Sequence, residues 1–345
     1  VILADDPRGL TVETSVLRRA FGGAARNVII SGLVIEKYAS PAQSGAIQGA
    51  ASSAWTIRGN EIRLNHGAGI RTGTAMRIVD NHIHDNGQIG LVGMGDNIQI
   101  EGNIIAHNNY AGFSTSWEAG GAKLVKTTNL VLRGNCVHDN TGTGLWTDIS
   151  NIHSLIEGNR VFANSSDGIH HEISYDAVIR YNTVFANGYG YDSWLYGAQI
   201  LISTSQNVEI YDNKVEVAPG YGDGIALIQQ ERGVGPHGEW RTSGNHVHNN
   251  IVICHGENGV SGAVGDYNNE ALFFGGNRFC NNSYQATRGD HIHWAWGEEY
   301  QHRARYRTWL EMHDMDQELD GRLDVRQSEP LAQICEDLLA GSTLD

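Results

Sequence analysis

Two short phrases, Gly144-Leu145-Trp146-Thr147-Asp148-Ile149 and Gly168-Ile169-His170-His171-Glu172-Ile173, carry the residue types of acid–base chemistry at matching offsets. On extended strands the alternation puts Leu145, Ile149, Ile169 and Ile173 on the core face. Trp146, Asp148, His170 and Glu172 then share the outer face, and His171 turns inward as a core histidine. Stacking the two strands sets Trp146 beside His170 and Asp148 beside Glu172. Carboxylates on strands about 4.8 Å apart repel, so at least one pKa should rise. Aligning the next unit on its glycine places Leu201 at the Glu172 offset. Leu201 would then desolvate Glu172 and make it the general acid, with Asp148 left ionised as base or nucleophile.

Other residues supply what a sugar needs. Trp117 and Trp146 offer flat apolar faces to pyranose rings, and His170, Gln199, Tyr175 and Lys123 offer hydrogen bonds to hydroxyls or a carboxylate. Glu118 is a third carboxylate for the same patch and joins the catalytic set. If Glu118, Asp148 and Glu172 converge, they make an oxygen site for calcium, which suits proton abstraction from a uronate by Lys123, His170 or Tyr175. Hydrolysis by the carboxylate pair needs no cofactor.

The elements that hold these residues repeat. The phrase [GDY]-N-x-[VIF] recurs from Gly59-Asn60-Glu61-Ile62 to Gly276-Asn277-Arg278-Phe279, with asparagines at 60, 81, 103, 135, 159, 182, 213, 245 and 277. Compact units span 21–24 residues and four longer ones 31–32. Each reads as three short period-2 strands parted by Asn/Gly corners, and with no helix between strands this predicts a coil that stacks on itself: an all-β parallel β-helix. The asparagine is then structural, tolerating left-handed geometry and bonding to its own copies above and below. His84-Asp85 and His138-Asp139 belong to the same corners and carry no function. Extra residues must loop out at corners, around 116–128, 188–196, 218–223 and 230–243, and wall a groove over the glycine-led strand.

With these repeats the chain resembles the right-handed parallel β-helix superfamily of pectate lyases, polygalacturonase-like hydrolases and mannuronan epimerases, over about residues 25–282. The phrases Trp117-Glu118-Ala119-Gly120-Gly121-Ala122-Lys123, Gly144-Leu145-Trp146-Thr147-Asp148 and His171-Glu172-Ile173-Ser174-Tyr175-Asp176 resemble a bacterial subgroup with no settled activity. Residues 1–302 are expected to form the helix, with Val12-Glu13-Thr14 and Val28-Ile29-Ile30 in its first coils. Residues 303–345 are expected to cap it, with a helical look at 303–320 and a short amphipathic helix at 327–339.

Composition narrows the partners. A net charge of −15 disfavours nucleic acid and anionic membrane surfaces, and no apolar run is long enough to span a bilayer. The sequence opens without Met, which fits a trimmed secreted or periplasmic chain. Four cysteines lie far apart, with no zinc-type spacing; Cys254 and Cys280 are the pair weighed for a disulfide. The expectation is an extracellular carbohydrate-active enzyme, a glycoside hydrolase acting on a poly- or oligosaccharide. The alternatives are a lyase or C5-epimerase on uronates, disfavoured by the shortage of Arg and Lys in the groove, and a non-catalytic glycan-binding solenoid.

Overall fold

The computed structural model describes residues 9, 11–191, 195–265, 275–289, 293–297 and 306–335. Successive strands pair in parallel with their equivalents one coil away, and the described residues build sheets of twelve, ten and eleven strands. The chain passes from the first sheet to the second to the third and back, as in Thr143–Asp148, Ser154–Glu157 and Arg160–Phe162. This is a parallel β-helix. Its interior is filled by rows of one aliphatic residue per coil, such as Ile57, Ile78, Ile100, Leu132, Ile156, Ile179 and Ile210 on the second sheet, all fully buried. Branched side chains suit both the strand and the tight interdigitation between coils.

The asparagines form the expected ladder. Asn60, Asn81, Asn103, Asn135, Asn159, Asn182 and Asn213 each hand backbone and side-chain donors to the Oδ1 of the next. Beyond Asn213 the ladder runs through Asn250 and Asn282, not through Asn245 and Asn277. Those two stand one corner earlier, ahead of the second-sheet strands His246–His248 and Arg278–Cys280. The left-handed residue is also not the asparagine but the one before it: Gly59, Asp80, Gly102, Tyr181, Asp212 and Asn249 all have φ between 53° and 66°. That is why Gly and Asp lead the repeated phrase. Asn282 ends the ladder on the carboxylate of Glu318.

A second ladder, Asn65, Asn86, Asn108, Asn140, Asn164 and Asn187, stiffens the corner before the first sheet. It explains the glycine that leads each first-sheet strand, because a Cβ on Gly144 or Gly168 would lie 2.9 or 2.7 Å from the amide of Asn164 or Asn187.

At the ends, Ile29–Ser31 forms a strand as expected, whereas Val12-Glu13-Thr14 does not. The helix Trp309–Asp314 opens with a capping box between Thr308 and Glu311, and Arg322–Val325 adds a last strand to the third sheet beside Ser283–Ala286. Residues 327–335 are irregular and not the expected amphipathic helix; 336–339 lie outside the described residues. This arm runs back along the third sheet, where the Leu331 amide donates to Glu216 and Cys335 is disulfide-bonded to Cys136, their Cα atoms 6.0 Å apart. The disulfide is therefore not Cys254–Cys280. Those two are free thiols on different sheets, Cys254 on the third and Cys280 on the second.

Candidate functional site

The strand register is the one the alternation implies. Trp146 pairs with His170 and Asp148 with Glu172, His171 is fully buried, and its ring bonds to the Thr147 hydroxyl and the Tyr175 carbonyl. Extending the rows backwards puts Arg71, Val92, Lys123, Trp146 and His170 in one outward column, and Val125, Asp148 and Glu172 in the next. Above these columns stand two excursions, residues 107–119 and 230–245; the first ends before Gly120–Thr128, which is strand and not loop. Between them lies a cleft of about 500 Å³ lined by Gln43, Arg71, Trp117, Glu118, Lys123, Trp146, Asp148, Glu172 and Arg232, among others.

Every carboxylate in the cleft is gripped by the protein. Asp148 Oδ2 lies 2.9 Å from Lys123 Nζ. Glu172 Oε1 lies 2.5 Å from Arg232 Nη1, and its Oε2 accepts from Trp146 Nε1 at 3.1 Å. Glu118 accepts from Gln43, whose carbonyl in turn accepts from Arg71. The exception is Asp148 Oδ1, a buried atom in the cleft wall with no hydrogen-bond partner among the described residues. Burial pushes the Asp148 carboxyl above its usual range, the Glu172 charge adds to that, and Lys123 opposes it. Burial also raises Glu118, against the pull of Lys123 and Gln43. Lys123→Met is therefore expected to raise the Asp148 pKa further, since it removes the nearest group favouring the ionised form. Carboxyl NMR titration checks this, and an unchanged or lower value would show that Lys123 does not govern Asp148.

Several expected roles change. Trp146 offers no free face to a sugar: the Lys123 ammonium sits 3.5 Å over its ring and His170 stacks in parallel at 5.5 Å. His170 faces outward but is buried beyond the cleft, with Nδ1 3.5 Å from Asp167 and Nε2 2.8 Å from the Ser203 hydroxyl, and burial depresses its pKa. It orients Trp146 and does not reach the cleft. Leu201 lies beside His170, and Ser203 holds the Glu172 offset, so Leu201 does not desolvate Glu172. Gln199 fills the glycine offset and closes the second asparagine ladder by accepting from Asn187 and donating to its carbonyl. Tyr175 is buried, and its hydroxyl donates to the Gly238 carbonyl, anchoring the hairpin of Val234–Gly235 and Gly238–Glu239. Trp117, 57% exposed, is the aromatic surface the cleft offers.

Three groups escaped the sequence reading. Arg71 stands at the Lys123 offset two coils earlier, so carrying the register backwards finds it. Gln43 and Arg232 sit outside the strands that line the cleft, where no periodicity reports a side chain's direction. With Arg71 and Arg232 beside Lys123, the expected shortage of cations in the groove does not hold. Glu118, Asp148 and Glu172 line one cleft, but they are not among the described clusters whose donor atoms all lie within 4.8 Å of one another, and Gln43, Lys123 and Arg232 already occupy them. The residues do not fit a calcium cage.

Parallel coils and the ladders at their corners make the fold of this chain a parallel β-helix. A family model described as a right handed beta helix region matches residues 45–215. No curated protein sequence matches the chain. Among solved structures, XylC in complex with xylose superposes with a TM-score of 0.61 at 15% identity, covering 93% of this chain and 55% of that one. The A-modules of two mannuronan C-5 epimerases of Azotobacter vinelandii also superpose. AlgE6 gives a TM-score of 0.56 at 16% identity over 92% of this chain and 78% of the module. AlgE4 gives 0.52 at 15% identity over 84% and 76%. At such identities the likeness is one of fold.

Proposed function

We propose that the cleft binds a saccharide and hydrolyses a glycosidic bond in it, with Asp148 and Glu172 as the catalytic carboxylates. The observation that carries this reading is the pair itself: two carboxylates in one outward column on adjacent strands, one of them with a raised pKa and an unpartnered oxygen in the cleft wall. Asp148 then holds the proton given to the leaving oxygen. Glu172, positioned by Arg232 and Trp146, acts as base on water or as nucleophile. This reverses the roles expected from the sequence. Trp117 supplies the surface for a sugar ring. The saccharide class draws support from xylose in XylC and mannuronan in the epimerases named above. A secreted or periplasmic location is part of the proposal, supported by the Cys136–Cys335 disulfide.

A second reading, a lyase or C5-epimerase on uronates, is favoured by one observation: Arg71 and Arg232 bring guanidinium groups to the cleft, where they can pair with a uronate carboxylate. It draws no step from calcium. Digestion of neutral and uronate oligosaccharides with product mass analysis tests the two. Products heavier in sum by one water per cleavage are expected. An unsaturated, ultraviolet-absorbing product would choose elimination, and unchanged mass with altered uronate composition would choose epimerisation. Binding with no product at all would leave a glycan-binding solenoid.

A further inference from the structure

On a different sheet from the cleft, the outer face of the second sheet carries a cluster of ligating side chains that the corner pattern does not explain. His246 and His248 are alternate residues of the strand His246–His248 and so share one face. That strand pairs with Val208–Tyr211, placing Glu209 opposite His246. Glu209 Oε2 lies 3.4 Å from His246 Nδ1 and 3.1 Å from His248 Nε2, and the three side chains offer donor atoms that all lie within 4.8 Å of one another. A tetrahedral ion held at about 2.0–2.2 Å by imidazole nitrogen and carboxylate oxygen sets its ligand atoms roughly 3.3 Å apart. Both short separations fit that edge with no change of backbone.

The surroundings fit as well. A ligating imidazole usually has its second nitrogen held by another group, which fixes the ring's orientation. Here His246 Nε2 meets the Cys280 thiol at 3.1 Å and His248 Nδ1 meets the Asn249 amide at 3.1 Å. Tyr211 stacks on the His248 ring at 5.0 Å, and the two imidazoles lie 4.3 Å apart. Arg278 stands opposite His246 on the next strand. Its charge works against a hard cation held by charge alone, and the nitrogen-rich set selects a borderline metal.

We propose that Glu209, His246 and His248 form a binding site for a divalent transition ion of the zinc class, open to solvent at its fourth position, with Cys280 outside the ligand set. The ion would join two neighbouring coils where the excursion bearing Arg232 returns to the sheet, since His246 begins the strand that follows it. The site and its test stand apart from any reading of the cleft.

The probe is zinc chloride alone in equilibrium dialysis against the intact chain, with cobalt(II) as spectroscopic substitute. One equivalent of zinc is expected, weakened at least tenfold both in His248→Ala and in Glu209→Gln with His246→Gln. These outer-face variants should keep the metal-free urea midpoint of the parent, which separates a lost ligand from a lost fold. His138→Ala, which disables the separate cluster of His107, His138 and Asp139, should bind as the parent does. Equal binding in the parent and the Glu209, His246 and His248 variants, loss of binding in His138→Ala, or no binding by the parent would each overturn the proposal. A cobalt–thiolate charge-transfer band would overturn the exclusion of Cys280.

Discussion

Asp148→Asn and Glu172→Gln should each lower kcat on a cleaved saccharide by about 10²–10⁴-fold, the range over which positioned acid–base groups act, with a smaller change in KM. The fold should survive both changes. Asp148 has a raised folded pKa, so its proton-bound form is the one the fold favours, and any stability it adds is lost as pH rises through that value. Asn keeps the shape of that form, and a urea midpoint measured on each variant separates a loss of rate from a loss of fold. The pH profile is the sharper measurement. As pH rises through the Asp148 pKa, the enzyme loses the proton it must donate, and the rate falls on the alkaline side. The Glu172 charge is one cause of that high pKa. In Glu172→Gln the residual alkaline limb should therefore move to lower pH. Since the two groups interact, the limbs report the pair and not one residue. Full activity in both variants would sink the hydrolase reading, and a limb that stays in place would sink the role of Asp148.

Much of this site was legible because alternation is a strong signal. Leu145 and Ile169 fix which side of each strand is buried, and with them the neighbours of Asp148. Ile149, expected on the core face, instead follows its strand at a left-handed turn with φ 57° and lines the cleft, and Ile173 likewise follows its strand at positive φ. The misreadings arose where coils are unequal. Aligning the next coil on Gly197 in place of Gln199 slips it by two residues, which preserves in and out but moves every side chain along the strand. That slip sets Leu201 beside Glu172 and turns Gln199 toward the cleft, whereas the strands pair Leu201 with His170. The same inequality made Asn245 and Asn277 look like members of the first ladder. Trp146 was read correctly as outward, yet whether its faces are free depends on Lys123 above and His170 below, which one strand cannot tell. Arg232 had no signal, because nothing periodic constrains an excursion. Cys136–Cys335 spans 199 residues and depends on where the arm runs after the last coil.

The largest stability effect should come from the ladder, in Asn159→Ala. Asn159 is nearly fully buried at the middle of its stack. Its amide N–H and Nδ2 donate to Asn182 Oδ1 at 2.9 and 3.0 Å, Nδ2 donates again to the Leu132 carbonyl at 2.9 Å, and its Oδ1 accepts both donors of Asn135 at 3.0 Å. Truncation removes the acceptor of a buried backbone N–H and a donor to a buried carbonyl. Each orphaned group costs about 1–3 kcal/mol, and the small cavity adds to the loss, so about 3–5 kcal/mol is expected from urea unfolding at neutral pH. Half-exposed Arg133, which pairs with Glu157 and Glu101 on adjacent coils, is the control. Arg133→Ala should cost no more than about 1 kcal/mol, because exposed ion pairs are screened and entropically loose. A loss below about 1 kcal/mol in Asn159→Ala would mean that water or a shifted corner satisfies the ladder. The expected loss requires that each rung depend on the rungs above and below, because in a solenoid every coil touches only its neighbours and a fault at the centre weakens both interfaces.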